Sequence, residues 1–167
     1  MSRSFVKDAD ESVGERLPEI PLSEHPNYVT PRGLAQLRAR LVALRERRDT
    51  LRAAADTLPQ QRELAEVERE LRWLTTRVGS AIEIEPAQQP RDRVAFGAVV
   101  TVDSEEGEAR YRIVGEDEAD VEHGLVSYVS PLAKALLGVR VGDEVTWQRP
   151  AGDLVIELTG IDYPDDA

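Results

Sequence analysis

The sequence contains no cysteine. That absence removes disulfides, thiolate metal sites and cysteine nucleophiles together, and it suits a reducing compartment. Histidine is scarce: His25 and His123 are the only two. One sits in a proline-spaced N-terminal stretch and the other in an acidic loop, which leaves little for a zinc site. No apolar run approaches the roughly 18 residues of a membrane span. The opening MSRSFVKDADESVGERLPEIP lacks the apolar stretch of a secretory signal. There is no glycine-rich phosphate loop and no nucleophile elbow. The expectation is a cytoplasmic protein with no membrane partner and no enzyme chemistry of its own.

What is present is charge, unevenly placed. The net charge is −11. Residues 31–78 nevertheless hold 11 arginines against 7 acids, a net +4, while residues 79–167 carry a net −12. The overall acidity argues against general coating of duplex DNA, which needs a basic surface; the basic segment inside it is more informative than the total.

Three segments follow. Residues 1–29, broken by Pro18, Pro21 and Pro26, read as a disordered or extended tail, with Tyr28 and Val29 the first anchored residues. Residues 30–79 read as an antiparallel coiled-coil hairpin. Thr30 caps the first helix and Pro31 suits its first turn. Leu34, Leu37, Leu41, Leu44, Arg48, Leu51, Ala55 and Leu58 make one stripe at alternating spacings of three and four; Leu64, Val67, Leu71, Leu74 and Val78 make another. Thr57 and Gln60 form a capping box, with Pro59 tolerable in the first turn. One continuous helix would cost about 3 kcal/mol at Pro59. The chain should therefore reverse near residues 56–59, giving arms of about 26 and 21 residues.

Residues 80–167 change period and predict a compact α+β domain. Strands are expected over 94–102, 109–115, 125–129, 144–148 and 154–163. Ser130 caps a short helix that Gly138 ends.

Candidate chemistry concentrates in few places. The run Glu116-Asp117-Glu118 with Asp120 reads as a solvated acidic turn, or a weak site for a divalent ion. At the turn, Asp56 stands alone and Glu63 follows across it; the pair could share an ion from facing arms. Arg38, Arg45, Arg48 and Arg52 give the first helix a basic face. That face is either a solvated surface or a rod that meets a negatively charged cleft or nucleic-acid phosphates. Arg48 falls on the seam itself and is expected to snorkel outward.

Four stretches together carry a resemblance: VAFGAVVTV at 94–102, YRIVGEDEAD at 111–120, SPLAKALLG at 130–138 and VGD at 141–143. In this order they resemble the Gre transcription factors, GreA and GreB. Thr30-Pro31-Arg32-Gly33-Leu34 also looks like that family's start. The resemblance implies a coiled coil followed by an FK506-binding-like (FKBP-like) β-rich domain. It implies a monomer that binds bacterial RNA polymerase core at the secondary channel, with contact to nucleic acid inside the elongation complex. Ser130, Pro131 and Leu132 match the part that meets the polymerase.

In active Gre factors an acidic tip, Asp-x-x-Glu, stabilises Mg2+ in the polymerase active site and so stimulates RNA cleavage in backtracked complexes. This sequence has no Asp-x-x-Glu at its turn. Its hairpin looks shorter than that of GreA by about 14 residues, or about 10 Å of reach. The expectation is therefore regulation of elongation without cleavage, and no resident cofactor or metal. The alternative is an active cleavage factor using Asp56 and Glu63. The implied fold also raises a prolyl isomerase, which needs an aromatic-lined pocket. The aromatics available, Phe96, Tyr111, Tyr128, Trp147 and Tyr163, sit mostly on strands at core spacing, which argues against it.

Overall fold

Thr30 and Pro31 start a helix as their positions predict. The computed structural model describes residues 17–54 and 56–166. A two-residue strand β1 (Tyr28–Val29) leads into helix α1 (Pro31–Ala54). The chain reverses, and α2 (Leu58–Ser80) returns to a second short strand, β2 (Ile82–Glu83), which pairs parallel with β1. The arms thus span 24 and 23 residues. The reversal depends on the predicted capping box: Gln60 N–H donates to the Thr57 hydroxyl at 3.4 Å, and Gln60 Oε1 accepts from Thr57 N–H at 3.1 Å.

The arms meet along Leu34, Leu37, Leu41 and Leu51 of α1 and Val67, Leu71 and Leu74 of α2, all buried. The seam stops short of the expected Leu58, which is 59% exposed. Leu58 is the first residue of α2, where the turn still holds the arms apart. Ion pairs flank the seam: Arg40 with Glu70, Arg47 with Glu63, and Arg52 with Glu68. Arg40 and Arg47 are one heptad apart, as are Glu63 and Glu70, so the same antiparallel register serves both pairs.

Beyond the hairpin stands a five-stranded sheet. Its strands are β3 (Val99–Ser104), β4 (Gly107–Val114), β5 (Leu125–Ser127), β6 (Glu144–Trp147) and β7 (Leu154–Asp162), in the order β5-β4-β3-β7-β6. Between β5 and β6 the chain forms α3 (Pro131–Leu136), whose Leu132, Ala133 and Leu136 enter the core. Alternation on β7 buries Leu154, Ile156 and Leu158 and leaves Val155 and Glu157 exposed, the signature of a sheet covered on one face. The α+β class is as expected. Among the described residues no helix is long and apolar enough to cross a membrane.

One expected strand needs correction. The strand expected over 94–102 begins only at Val99. Val94, Gly97 and Ala98 are buried and Ala95 and Phe96 half-buried; Gly97 and Ala98 exchange backbone bonds with Ile113, but the strand proper starts after them. Val94 N–H donates to Val139 O at 2.9 Å, and Gly97 turns the chain at φ +87°. The apolar alternation of the sequence is not an alternation of burial there, because the turn at Gly97 breaks the two-residue period. The β1–β2 pair was not foreseen, because two residues per strand leave no period to read.

The hairpin and the sheet domain touch closely at Gly115. A Cβ there would lie 2.3 Å from the Tyr28 carbonyl oxygen. Gly115→Ala must push β1 away from the sheet domain, and is expected to lower stability by about 1–3 kcal/mol in chemical denaturation. Gly79→Ala, where a Cβ meets nothing within 4 Å, serves as the control.

Candidate functional site

The acidic run 116–118 is where hairpin and sheet domain join, and it is not solvated. Arg77 of α2 is 4% exposed. Its Nε donates to Asp117 Oδ2 at 2.7 Å and its Nη2 to Asn27 Oδ1 at 2.8 Å; Glu116 lies 3.9 Å away. Asn27 returns a bond from Nδ2 to the Arg77 carbonyl at 2.7 Å. One turn of chain away, Glu118 accepts from Thr30 N–H at 3.0 Å, from Gly115 N–H at 3.1 Å and from the Thr30 hydroxyl. The Thr30 hydroxyl in turn accepts from Gly33 N–H at 3.0 Å, capping α1. Gly33 is required by this arrangement, since a Cβ would fall 2.0 Å from Glu118 Cδ. Asp117 and Glu118 therefore bind the end of α2 and the start of α1, with Glu116 close to Arg77. A ring cluster of Tyr28, Phe96 and Tyr128, with centroids 5.3–5.9 Å apart, adjoins the join.

At the other end of the hairpin the tip exposes Asp56. The structure does not bring Glu63 to it. Glu63 lies five residues inside α2, about 8 Å of helical rise. Its carboxylate accepts from Arg47 Nε at 2.8 Å and also from Arg47 Nη2. The donor set at the tip is thus one exposed carboxylate, which does not fit a divalent ion without oxygens from elsewhere.

Of the four arginines of the expected basic face, Arg45, Arg48 and Arg52 line one groove with Arg72 of α2, while Arg38 is exposed but does not line it. Arg48, expected to snorkel from the seam, reaches Asp49 at 3.0 Å. Arg72 had no signal in the sequence. It binds Glu19 of the N-terminal segment, and that hydrogen bond raises the Arg72 pKa above the ordinary arginine value.

Ser130, Pro131 and Leu132 are adjacent but differently placed. Ser130 caps α3, accepting from Ala133 N–H at 3.3 Å. Pro131 is exposed. Leu132 is 3% exposed and belongs to the core, so a partner touching this corner would meet Pro131 and the edge of Ser130.

Residues 88–163 match the family described as transcription elongation factor GreA/GreB, C-terminal. The transcription elongation factor GreA of Nautilia profundicola is 44% identical over 102 residues, covering 59% of this chain and 62% of that protein. The GreB of Neisseria meningitidis serogroup B is 37% identical over 105 residues, covering 62% and 64%. The chain spans a little under two thirds of the length of these curated relatives. Among solved structures, the GreA factor homolog 1 (Gfh1) of Thermus thermophilus is 23% identical with a TM-score of 0.40, covering 83% of this chain and 99% of that one.

The buried Arg77–Asp117 contact makes a direct prediction. Asp117→Ala leaves a buried guanidinium without its nearest charge, and is expected to cost about 3–5 kcal/mol in urea denaturation. Adding Arg77→Met to that variant should recover part of the loss. A double variant whose losses simply add would show that the two side chains act independently.

Proposed function

From the match of residues 88–163 to the GreA/GreB family we propose that the protein is a Gre-like factor that binds bacterial RNA polymerase at its secondary channel and regulates elongation without stimulating transcript cleavage. The relatives named above are transcription elongation factors, which supports the coarser half of this reading. The finer half rests on one observation, the Arg47–Glu63 ion pair across the hairpin. It withdraws the second carboxylate that a shared metal ion would need and leaves Asp56 alone at the tip. Catalysis through an ion fails at displacements of about 1 Å, and Glu63 sits several times that distance down the arm. The protein itself performs no chemistry in this reading. Its work is to dock and to place an arm.

The corner at Ser130 and Pro131 is the proposed contact of the sheet domain with the polymerase, and the hairpin is the part that enters the channel. The bonds of Arg77 and Glu118 at the hairpin's base support that division, because an arm that must reach a fixed depth needs a fixed angle at its base. Magnesium enters only as an ion of the polymerase active site.

Incubation with a backtracked elongation complex tests the reading. The expected result is binding to core polymerase in competition with GreB, and RNA cleavage no faster than without the factor. Failure to bind core polymerase overturns the proposal. Cleavage that Asp56→Ala abolishes would establish instead an active factor working through a single tip acid.

A further inference from the structure

The groove on the hairpin flank is lined by Arg45, Arg48, Arg52 and Arg72, with Glu68 as the one acid among its lining residues. Arg52 donates to Glu68 at 2.8 and 3.1 Å. Arg72 is engaged from elsewhere in the chain. Its Nε donates to both oxygens of Glu19 at 3.0 Å, and its Nη2 to Glu19 Oε1 at 2.8 Å. The two residues are 53 positions apart.

The path between them is built. Asn27 Nδ2 is held by the Arg77 carbonyl and by Ser80 Oγ, and Pro26 O accepts from the Tyr128 hydroxyl. Leu22, His25 and Pro26 then line a cleft with Thr76, Ser80 and Ile82. Glu19 meets α2 at Arg72, one helical turn beyond Thr76 toward the tip. The segment therefore leaves the junction along α2 and delivers a carboxylate to Arg72, one of the residues lining the arginine groove.

We propose that residues 17–27 form an intramolecular strap whose Glu19 carboxylate holds the Arg72 guanidinium at the edge of the arginine groove and competes there with external anions. A carboxylate forked on a guanidinium takes the same donors that a phosphate or a partner's acidic side chain would take. Tethering at Pro26 and Asn27 gives Glu19 a high effective concentration at Arg72. The pair itself is exposed, 44% for Arg72 and 57% for Glu19, so its strength is modest. A cover that must yield to a partner requires that weakness. This inference concerns the free protein and stands whether or not the partner is a polymerase.

Binding of the full chain to immobilised heparin, a plain polyanion, tests the strap. Glu19→Gln should bind about threefold more tightly at low salt than the parent chain, in keeping with an exposed ion pair. Glu24→Gln removes one charge from the same segment and should gain less. Arg72→Gln should bind no better than the parent, and Glu19→Gln should add nothing to it. Equal retention of Glu19→Gln and the parent overturns the proposal. So does a gain from Glu24→Gln as large as that from Glu19→Gln, or a gain that persists with Arg72→Gln, because either would reduce the effect to net charge. The Arg72 Nε–H resonance should shift in Glu19→Gln; no shift would remove the contact from the solution state.

Discussion

A two-helix hairpin cannot set its own direction, and here the buried Arg77 sets it. A guanidinium taken out of water must be surrounded by acceptors or its desolvation destabilises the fold by several kcal/mol. Asn27 and Asp117 supply them from opposite sides, one from the segment before α1 and one from the sheet domain. Satisfying that one cation thus ties together both ends of the hairpin and the body beneath it. Glu118 repeats the logic on α1, where its carboxylate receives the Thr30 and Gly115 amides. The short parallel pairing of β1 with β2 follows, since the chain entering α1 and the chain leaving α2 are held side by side.

Away from this base the hairpin is thin. One leucine stripe per arm is all it buries, so flanking ion pairs supply register as well as solubility. Arg40–Glu70 and Arg47–Glu63 agree on one antiparallel alignment, and a slip of one residue would break both. The same pairs decide what the hairpin offers a partner. Glu63 is used for register and is lost to the tip. Arg45, Arg48 and Arg52 remain together with Arg72 along one groove, and the chain's own Glu19 already meets Arg72. The hairpin is basic by composition, but its acids and the N-terminal segment answer much of that charge.

Legibility followed the length scale of each signal. Leucine spacing, the Thr57–Gln60 capping box and the Ser130 cap are local, with partners within a few residues, and they were readable. So was the α+β class, since the change from helical to strand period spans whole elements. Residues 94–98 misled because their apolar residues alternate in sequence while the chain, pinned by Val139 and turned at Gly97, buries Val94, Gly97 and Ala98 without a strand's period. The acids 116–118 misled more instructively. A run of three carboxylates after a strand is most often solvated, and nothing beside it in sequence contradicts that. Their partners, Arg77 and Thr30, lie 40 and 88 positions away. Leu132 looked like a contact residue by its motif, yet helix geometry turns it inward while Pro131 faces out.

By itself the sequence determined that a hairpin would form, where it would reverse, that a sheet domain would follow, and that its tip carries a single acid. Those features depend on backbone preference and on hydrophobic period, which act between near neighbours. Only the tertiary structure decided how the hairpin is mounted, that Glu63 belongs to Arg47, and that Glu19 belongs to Arg72. Ion pairs carry no periodicity and any arginine can serve any acid. Their partners are chosen by the three-dimensional register that packing has already set.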